Sequence, residues 1–353
     1  MDATKISIAD EALERINSER ILITGASGLL GRQIVYELTR AGISPVCLVR
    51  EGSQTDYLSS LDLEIRVAAL RAQSALDSAF RGIESVIHTA AVVDFRGDRQ
   101  TIFTGINSFG ALACYRAARE RRARRFVHVS SVVAVGALPR TPLPGNVPPL
   151  DESADFNLSH LRIPYILSKR SAEELLFAER NSETELIVVN PSIIVAPSRH
   201  GSDRERIDRA LSRRFIPVPP NRFNLVDLRD VSAAIVNSLA LGTDGGRYLL
   251  TGQNLVAGDV LTLFEKLTQK KPWRIRPPRS VLNLAASFNE FRRKRWSSGK
   301  LKLYPDLVRM LDYDWAYDNS LARRELGFTP RSVEDTLADL YFERFEGTFL
   351  DPP

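Results

Sequence analysis

The stretch RILITGASGLLGRQIVYELTRAG, from Arg20 to Gly42, constrains the fold more than any other part of the chain. An apolar run gives way to Gly25, Gly28 and Gly31, and these to a helical repeat of apolar residues that stops at Gly42. The pattern is that of a buried strand, a tight turn and a helix. A sharp turn and a close approach of backbone both exclude a Cβ, and the first helical turn offers N–H groups that have no partner of their own. Such amides, aligned with the helix dipole, hold an anion such as a pyrophosphate. Three glycines alone are a weak signal. With a strand before and a helix after, they read as a dinucleotide-binding turn, against the plainer reading of a packed strand-to-helix corner.

Further strand-like runs follow at PVCLVR (45–50), LEIRVAAL (63–70), SVIHTAAV (85–92), RFVHVSSVVAVG (125–136) and ELIVVNPSIIVAP (185–197). Helical stretches separate them, among them Ile106 to Arg119 and the segment after Pro164. Such alternation predicts an α/β fold, a Rossmann-type doubly wound parallel sheet with helices on both faces. Residues 1–19 read as an N-terminal arm and 20–197 as the nucleotide-binding domain. Residues 198–353 read mainly as a smaller substrate-binding lobe, with some segments returning to the sheet. There RYLLTGQNL reads as a strand, and a final helix follows Pro330.

Composition excludes several classes of function. A net charge of +5 over 353 residues suits anionic small ligands and is too small to imply nucleic acid. No apolar run reaches membrane-spanning length, and the first residues lack the apolar core of a signal peptide, so a cytoplasmic protein is expected. Cys47 and Cys114 lie far apart in apolar contexts and read as core residues. The four histidines, at 88, 128, 160 and 200, have no metal-ligand spacing, so no metal is expected; each reads as a satisfied structural residue.

In PYILSK, Tyr165 and Lys169 are four apart and share one helix face. An unperturbed phenol titrates near ~10, and a neighbouring ammonium should bring it down. At the end of the second strand stands Arg50, whose guanidinium matches a ribose 2′-phosphate, with Glu51 next to it. NADP(H) is therefore the expected cofactor and NAD(H) the alternative.

TGASGLLG, HTAA, Asn107, SSVVAVG, YILSK and NPSIIV stand in the order and at the intervals of the extended short-chain dehydrogenase/reductase family. The chain resembles that family from about residue 20 to 345. FNLVDLRDVSAAIV and YDNSLARRELGFTPRSVEDTL are similar to its dihydroflavonol-reductase-like and 3β-hydroxysteroid-dehydrogenase-like branch. The resemblance implies a catalytic set of Asn107, Ser131, Tyr165 and Lys169. Family spacing back from Gly136 selects Ser131 over Ser130, and period-two alternation agrees that only one of the two can face a cleft. It also implies that Tyr165 exchanges a proton with the substrate oxygen, that Ser131 bonds that oxygen, that Lys169 bonds the nicotinamide ribose, and that Asn107 holds a water. The plain alternative for Asn107 is a helix-surface amide.

For the cofactor the resemblance implies contacts from Gly25, Ser27, Gly28, Leu29, Leu30 and Gly31 of the turn. It adds Arg50, Leu70, Thr89, Ala90 and Ala91, then Tyr165 and Lys169, and finally Pro191 and Ser192. One departure stands out. Where many relatives carry an aspartate that bonds the adenine, this chain has Ala69, followed by Leu70.

Residues 137–163 and 197–224 are the expected substrate walls, with Asp94 and Phe95 as further candidates. Arg199, Arg204, Arg206, Arg209, Arg213 and Arg214 could clamp an anionic group, but a solvated helix face is the preferred reading. SVLNLAASFNEFRRKRW (280–296) joins an apolar stretch to a basic run. It suits a membrane surface or a greasy substrate, and packing against the main lobe is preferred. The expected partner is a small-molecule substrate; a homodimer is implied by the resemblance alone.

The leading function is NADPH-dependent reduction of a ketone or aldehyde of a moderately apolar small molecule, reversible as alcohol oxidation. An NAD-dependent nucleotide-sugar epimerase or dehydratase is the enzymatic alternative, and Arg50 argues against it. A non-catalytic NADP sensor or scaffold is the alternative from another class, and the complete tetrad argues against that.

Overall fold

The protein is described from a computed structural model, which covers residues 8–94, 100–140, 147–197, 202–296, 304–344, 346 and 348–349. Phe95, Arg199 and His200 lie outside the described residues, as do the side chains of Arg293, Arg295 and Trp296.

Seven strands form the central sheet: β1 (Ile21–Thr24), β2 (Val46–Val49), β3 (Ile65–Val67), β4 (Ser85–His88), β5 (Arg125–Val129), β6 (Glu185–Pro191) and β7 (Arg247–Leu250). All neighbours pair in parallel, in the order β7-β6-β5-β4-β1-β2-β3. The order reverses between β1 and β4, the point where ligands bind in doubly wound sheets.

Alternation along the strands sorts the side chains into two cores. Ile21, Ile23, Cys47, Ile87, Val127 and Ile187 face α1 (Asp10–Ile16), α2 (Leu29–Arg40) and a long helix at Leu228–Leu241. Leu22, Val46, Val86, Phe126 and Leu186 face α3 (Phe109–Glu120) and α4 (Pro164–Glu179). Both cysteines are fully buried, one in each core, and neither is in a disulfide. Ala12 and Ile16 of α1 belong to the first core, so the described part of the N-terminal arm packs as part of the domain.

Two expected strands are each divided. The run 185–197 leaves the central sheet at Pro191, which has no N–H for the ladder, and resumes as Ile193–Val195. RYLLTGQNL ends its central pairing at Leu250 and resumes as Gln253–Val256. Both second halves join Arg222–Asp227 in a three-stranded sheet. Asn224 joins the two crossings. Its Oδ1 accepts from the Ser192 hydroxyl at 2.6 Å and from the Gly252 amide at 2.8 Å. The last third of the chain thus adds β7 and the Leu228–Leu241 helix to the main sheet and supplies two of the three strands of the second sheet.

Among the described residues no helix is long and apolar enough to cross a membrane.

Candidate active site

The glycine turn closes against the chain itself. Gly25 has φ +73°, and a Cβ there would lie 2.8 Å from Thr89 Oγ1 and 2.9 Å from Ala90 N. A Cβ on Gly31 would meet Gly25 O at 2.2 Å. The Gly25 amide donates to Leu48 O on β2 at 3.0 Å, and the Thr89 hydroxyl donates to Thr24 O on β1 at 2.7 Å. β1, β2 and β4 therefore converge on one point.

Gly28 is exposed and caps α2, whose first amides have no partner within the helix. Ser27, Thr89, Ala90 and Ala91 are half-buried beside it, and Arg50 stands exposed at the end of β2. Leu70 packs against Gly110 of α3, and Ala69 is exposed with only a methyl group to offer. This small-residue cradle on a helix N-terminus fits the pyrophosphate of a dinucleotide.

Gly31→Ala should force the Gly25 carbonyl aside. It is expected to destabilise the fold by about 1–3 kcal/mol and to weaken NAD(P)H binding by about tenfold or more, read by thermal denaturation and cofactor titration.

Arg32 was not singled out in the sequence. It is nearly buried, and its guanidinium donates to Ser27 O at 3.0 Å and to Gln54 O at 3.1 Å, tying the turn to the loop after β2.

Tyr165 and Lys169 lie in the first two turns of α4, where Pro164 occupies a position that needs no N–H. Tyr165 is 7 % and Lys169 4 % exposed. The Ser131 side chain lies beside the Tyr165 hydroxyl and favours its ionised form, whereas the neighbouring Ser130 hydroxyl is buried with no hydrogen-bond partner among the described residues. Geometry thus brings Ser131, not Ser130, to the tyrosine.

Burial pushes the phenol above its ordinary value, and the Ser131 side chain acts the other way. The lowering expected from Lys169 is not found: burial sets the direction, and Ser131 is the group that opposes it. Burial likewise brings Lys169 down to about 8, opposed by the carboxylate of Glu173. Its ammonium donates to Val129 O at 2.9 Å.

Asn107 is no surface amide, for it is 2 % exposed. It sits in a π-helical turn, Thr104–Ser108, that interrupts the helix leading into α3. Oδ1 accepts from Val92 N at 2.8 Å, and Nδ2 donates to Val92 O and to Ser168 Oγ, both at 3.0 Å. These bonds fasten the exit of β4 to α4. Both Nδ2 hydrogens are thus engaged, while Oδ1 keeps one acceptor position beyond its bond to Val92.

Glu173, also given no role from sequence, is fully buried one turn beyond Lys169. Oε1 accepts from Asn190 Nδ2 at 2.6 Å, and the same Nδ2 donates to Ser131 O at 2.9 Å. Arg247 Nη2 lies 2.7 Å from Oε2, an ion-pair contact without the alignment of a hydrogen bond. One carboxylate thus links α4, the serine loop, β6 and β7. Pro191 is buried beyond Asn190, and Ser192 is held by Asn224 as described.

Under this layer His88 and His128 stack with ring centroids 5.5 Å apart. His88 Nδ1 meets Thr24 Oγ1 at 2.8 Å, but neither nitrogen of His128 has a hydrogen-bond partner among the described residues. Packing rather than hydrogen bonding holds His128. His160 is satisfied by the Tyr313 hydroxyl at 2.7 Å.

Burial takes His88 down to about 3 and His128 well below its ordinary value, and the Lys169 charge acts in the same direction. The unfolded chain then binds more protons than the folded one between about 3 and ~6.5. Stability present above the upper value is lost as pH falls towards the lower. Denaturation across that window should show a steady decline, and His128→Phe should make it shallower.

The basic segment before the second sheet is a helix at Asp203–Leu211, capped by the Ser202 hydroxyl. Arg206 pairs with Asp203, and Arg204 and Arg214 lie over the Tyr341 and Phe215 rings. Among the described residues no cluster of three or more histidine, cysteine or acidic side chains is arranged to hold a metal ion.

The NAD dependent epimerase/dehydratase family model matches residues 21–241. The sterol demethylase protein B of Methylococcus capsulatus is 31% identical, over 90% of this chain and 96% of that protein. A putative dihydroflavonol 4-reductase of Synechocystis is 28% identical, over 90% of this chain and 92% of its own length. Among solved structures, gox2253 superposes with a TM-score of 0.73 at 24% identity, over 94% of this chain and all of that one, a likeness of fold. Glycine turn, sheet order and sequence match agree: the chain belongs to the NAD-dependent epimerase/dehydratase family, whose Rossmann-type members are NAD(P)-dependent oxidoreductases and epimerases.

Proposed function

We propose that the protein is an NADPH-dependent reductase that converts a ketone or aldehyde of a moderately apolar small molecule into an alcohol. The observation that carries this reading is the Ser131–Tyr165 hydroxyl pair beside buried Lys169, at the same sheet edge as the glycine turn. Bound NADPH supplies the hydride. The α2 N-terminus would hold its pyrophosphate, and Arg50 its 2′-phosphate.

The chain's own residues do the acid–base work. Tyr165 donates its proton to the carbonyl oxygen as negative charge grows there, and Ser131 donates a hydrogen bond to the same atom. The Lys169 cation stabilises the phenolate that remains. Asn107 fixes α4 against the exit of β4 and so sets where the phenol stands.

An apolar substrate suits the surroundings of the phenol. Phe103 packs edge-on at 6.2 Å, and Val132, Leu161, Ile163, Tyr313 and Trp315 share the same cluster. The two named relatives, one a sterol demethylase protein B and the other a putative dihydroflavonol 4-reductase, support the same direction. Residues of the smaller lobe, Phe223 and Met310 among them, would complete the pocket wall.

The family name keeps a second reading in view, an epimerase or dehydratase that oxidises and re-reduces a nucleotide sugar. The experiment that separates them is an assay of the purified protein with NADPH and a panel of apolar ketones, run beside UDP- and GDP-sugars with no added cofactor. Net NADPH oxidation with a ketone supports the reductase. Sugar turnover on retained NAD would replace it.

A further inference from the structure

We propose that the helix α5 (Arg279–Trp296) is a docking face for an anionic lipid bilayer, lying on the membrane surface without crossing it. The helix is turned the wrong way for a protein in water. Val281, Leu284, Phe288 and Phe291, spaced three, four and three residues apart, share one face and are 52, 72, 58 and 58 % exposed. Among its described side chains, the buried positions are the small Ala286 and the polar Asn289. A surface helix ordinarily buries its large apolar residues and shows the polar ones. Here the arrangement is reversed. The packing preferred from sequence, apolar face inward, is therefore corrected by the structure.

Nearby in the chain the apolar surface recurs. Trp273 and Ile275, 71 and 40 % exposed, pair in parallel with the Phe215–Pro217 strand, where Phe215 is 48 % exposed. Scattered exposed apolar residues need no explanation, but an ordered stripe of large ones marks a contact surface.

Charge selects the occupant. From Lys270 to Lys302 the sequence has eleven lysines and arginines against one acid, Glu290, a net +10. The remaining 37 basic and 42 acidic residues leave the rest of the chain at −5. The protein's positive charge is thus concentrated in the sequence segment that carries the apolar stripe, which is the composition of a helix lying in an anionic interface. A second copy of the chain is a poor fit, because a two-fold contact would set two such segments against each other. Arg279 pairs with Asp312 and fastens the start of the helix to the body of the protein, whereas Arg276 and Arg292 are exposed at its two ends.

The test is flotation of the full-length protein with vesicles of phosphatidylcholine alone and of phosphatidylcholine mixed with phosphatidylglycerol. Wild type should bind the mixed vesicles about tenfold or more tightly than the neutral ones, and raised salt should release much of that difference. Leu284→Ser/Phe288→Ser should bind about tenfold or more weakly, and Arg276→Glu/Arg292→Glu should lose the preference for anionic lipid. Both variants should keep wild-type reduction of a water-soluble ketone, since neither touches the tetrad. No binding of wild type to mixed vesicles, or equal binding by Leu284→Ser/Phe288→Ser, would overturn the proposal. So would a wild-type dimer that leaves vesicles alone and that Leu284→Ser/Phe288→Ser dissociates in sedimentation.

Discussion

Tyr165→Phe is expected to lower kcat for ketone reduction by about 10²–10⁴-fold, with NADPH affinity within about twofold of wild type. The substitution removes one oxygen and leaves the ring packed against Phe103. What is lost is the proton delivered to the carbonyl and the phenol oxygen beside Ser131. Because the site lies in a buried, apolar setting, bulk water has little access to replace that proton. Steady-state kinetics beside cofactor titration separate this loss from misfolding. An active Tyr165→Phe enzyme would remove the phenol from the mechanism.

Glu173→Ala should destabilise the protein by about 3–5 kcal/mol. It leaves the guanidinium of Arg247 without its buried partner and the carboxamide of Asn190 without an acceptor. Because Asn190 also holds the Ser131 carbonyl, activity should fall together with stability. Glu173→Gln gives the more telling experiment. It keeps an oxygen for Asn190 but removes the charge that raises Lys169, so Lys169 should titrate below about 8. Reduction that depends on cationic Lys169 would then fail at lower pH than in wild type. A shift of the alkaline limb of the pH profile to lower pH is the expected result. A purely structural glutamate would leave that limb in place.

Much of this site was legible in sequence because its signals are local. The glycine turn is read from strand, turn and helix within one short stretch, and Tyr165 and Lys169 from the four-residue repeat of a helix. Family spacing and strand alternation prefer Ser131 to Ser130, and the Ser131 side chain is the one that lies beside Tyr165. What escaped depends on residues brought together by the fold. Glu173 gains meaning only from Asn190 on β6 and Arg247 on β7. Arg32 gains it from carbonyls on either side of the second strand. The π turn at Asn107 has no periodic signature that an apolar repeat would reveal, since it shifts the register of hydrogen bonds and not the residue types. The divided strands were read as continuous because β propensity does not stop at Pro191 or Leu250; the change of sheet is fixed by Asn224, distant in sequence. Helix α5 was expected to bury its apolar face because most amphipathic helices do, and only the fold shows which face was turned inward.

The central claim is that the protein delivers a hydride from NADPH and a proton from Tyr165 to an external carbonyl. The most direct measurement is a single-turnover reaction with NADPH deuterated at the reactive nicotinamide carbon and an apolar ketone in excess. The account predicts one deuterium on the new carbinol carbon for each NADPH oxidised, with transfer all but abolished in Tyr165→Phe. NADPH left unoxidised by every ketone, while the protein interconverts a nucleotide sugar on retained NAD, would contradict it.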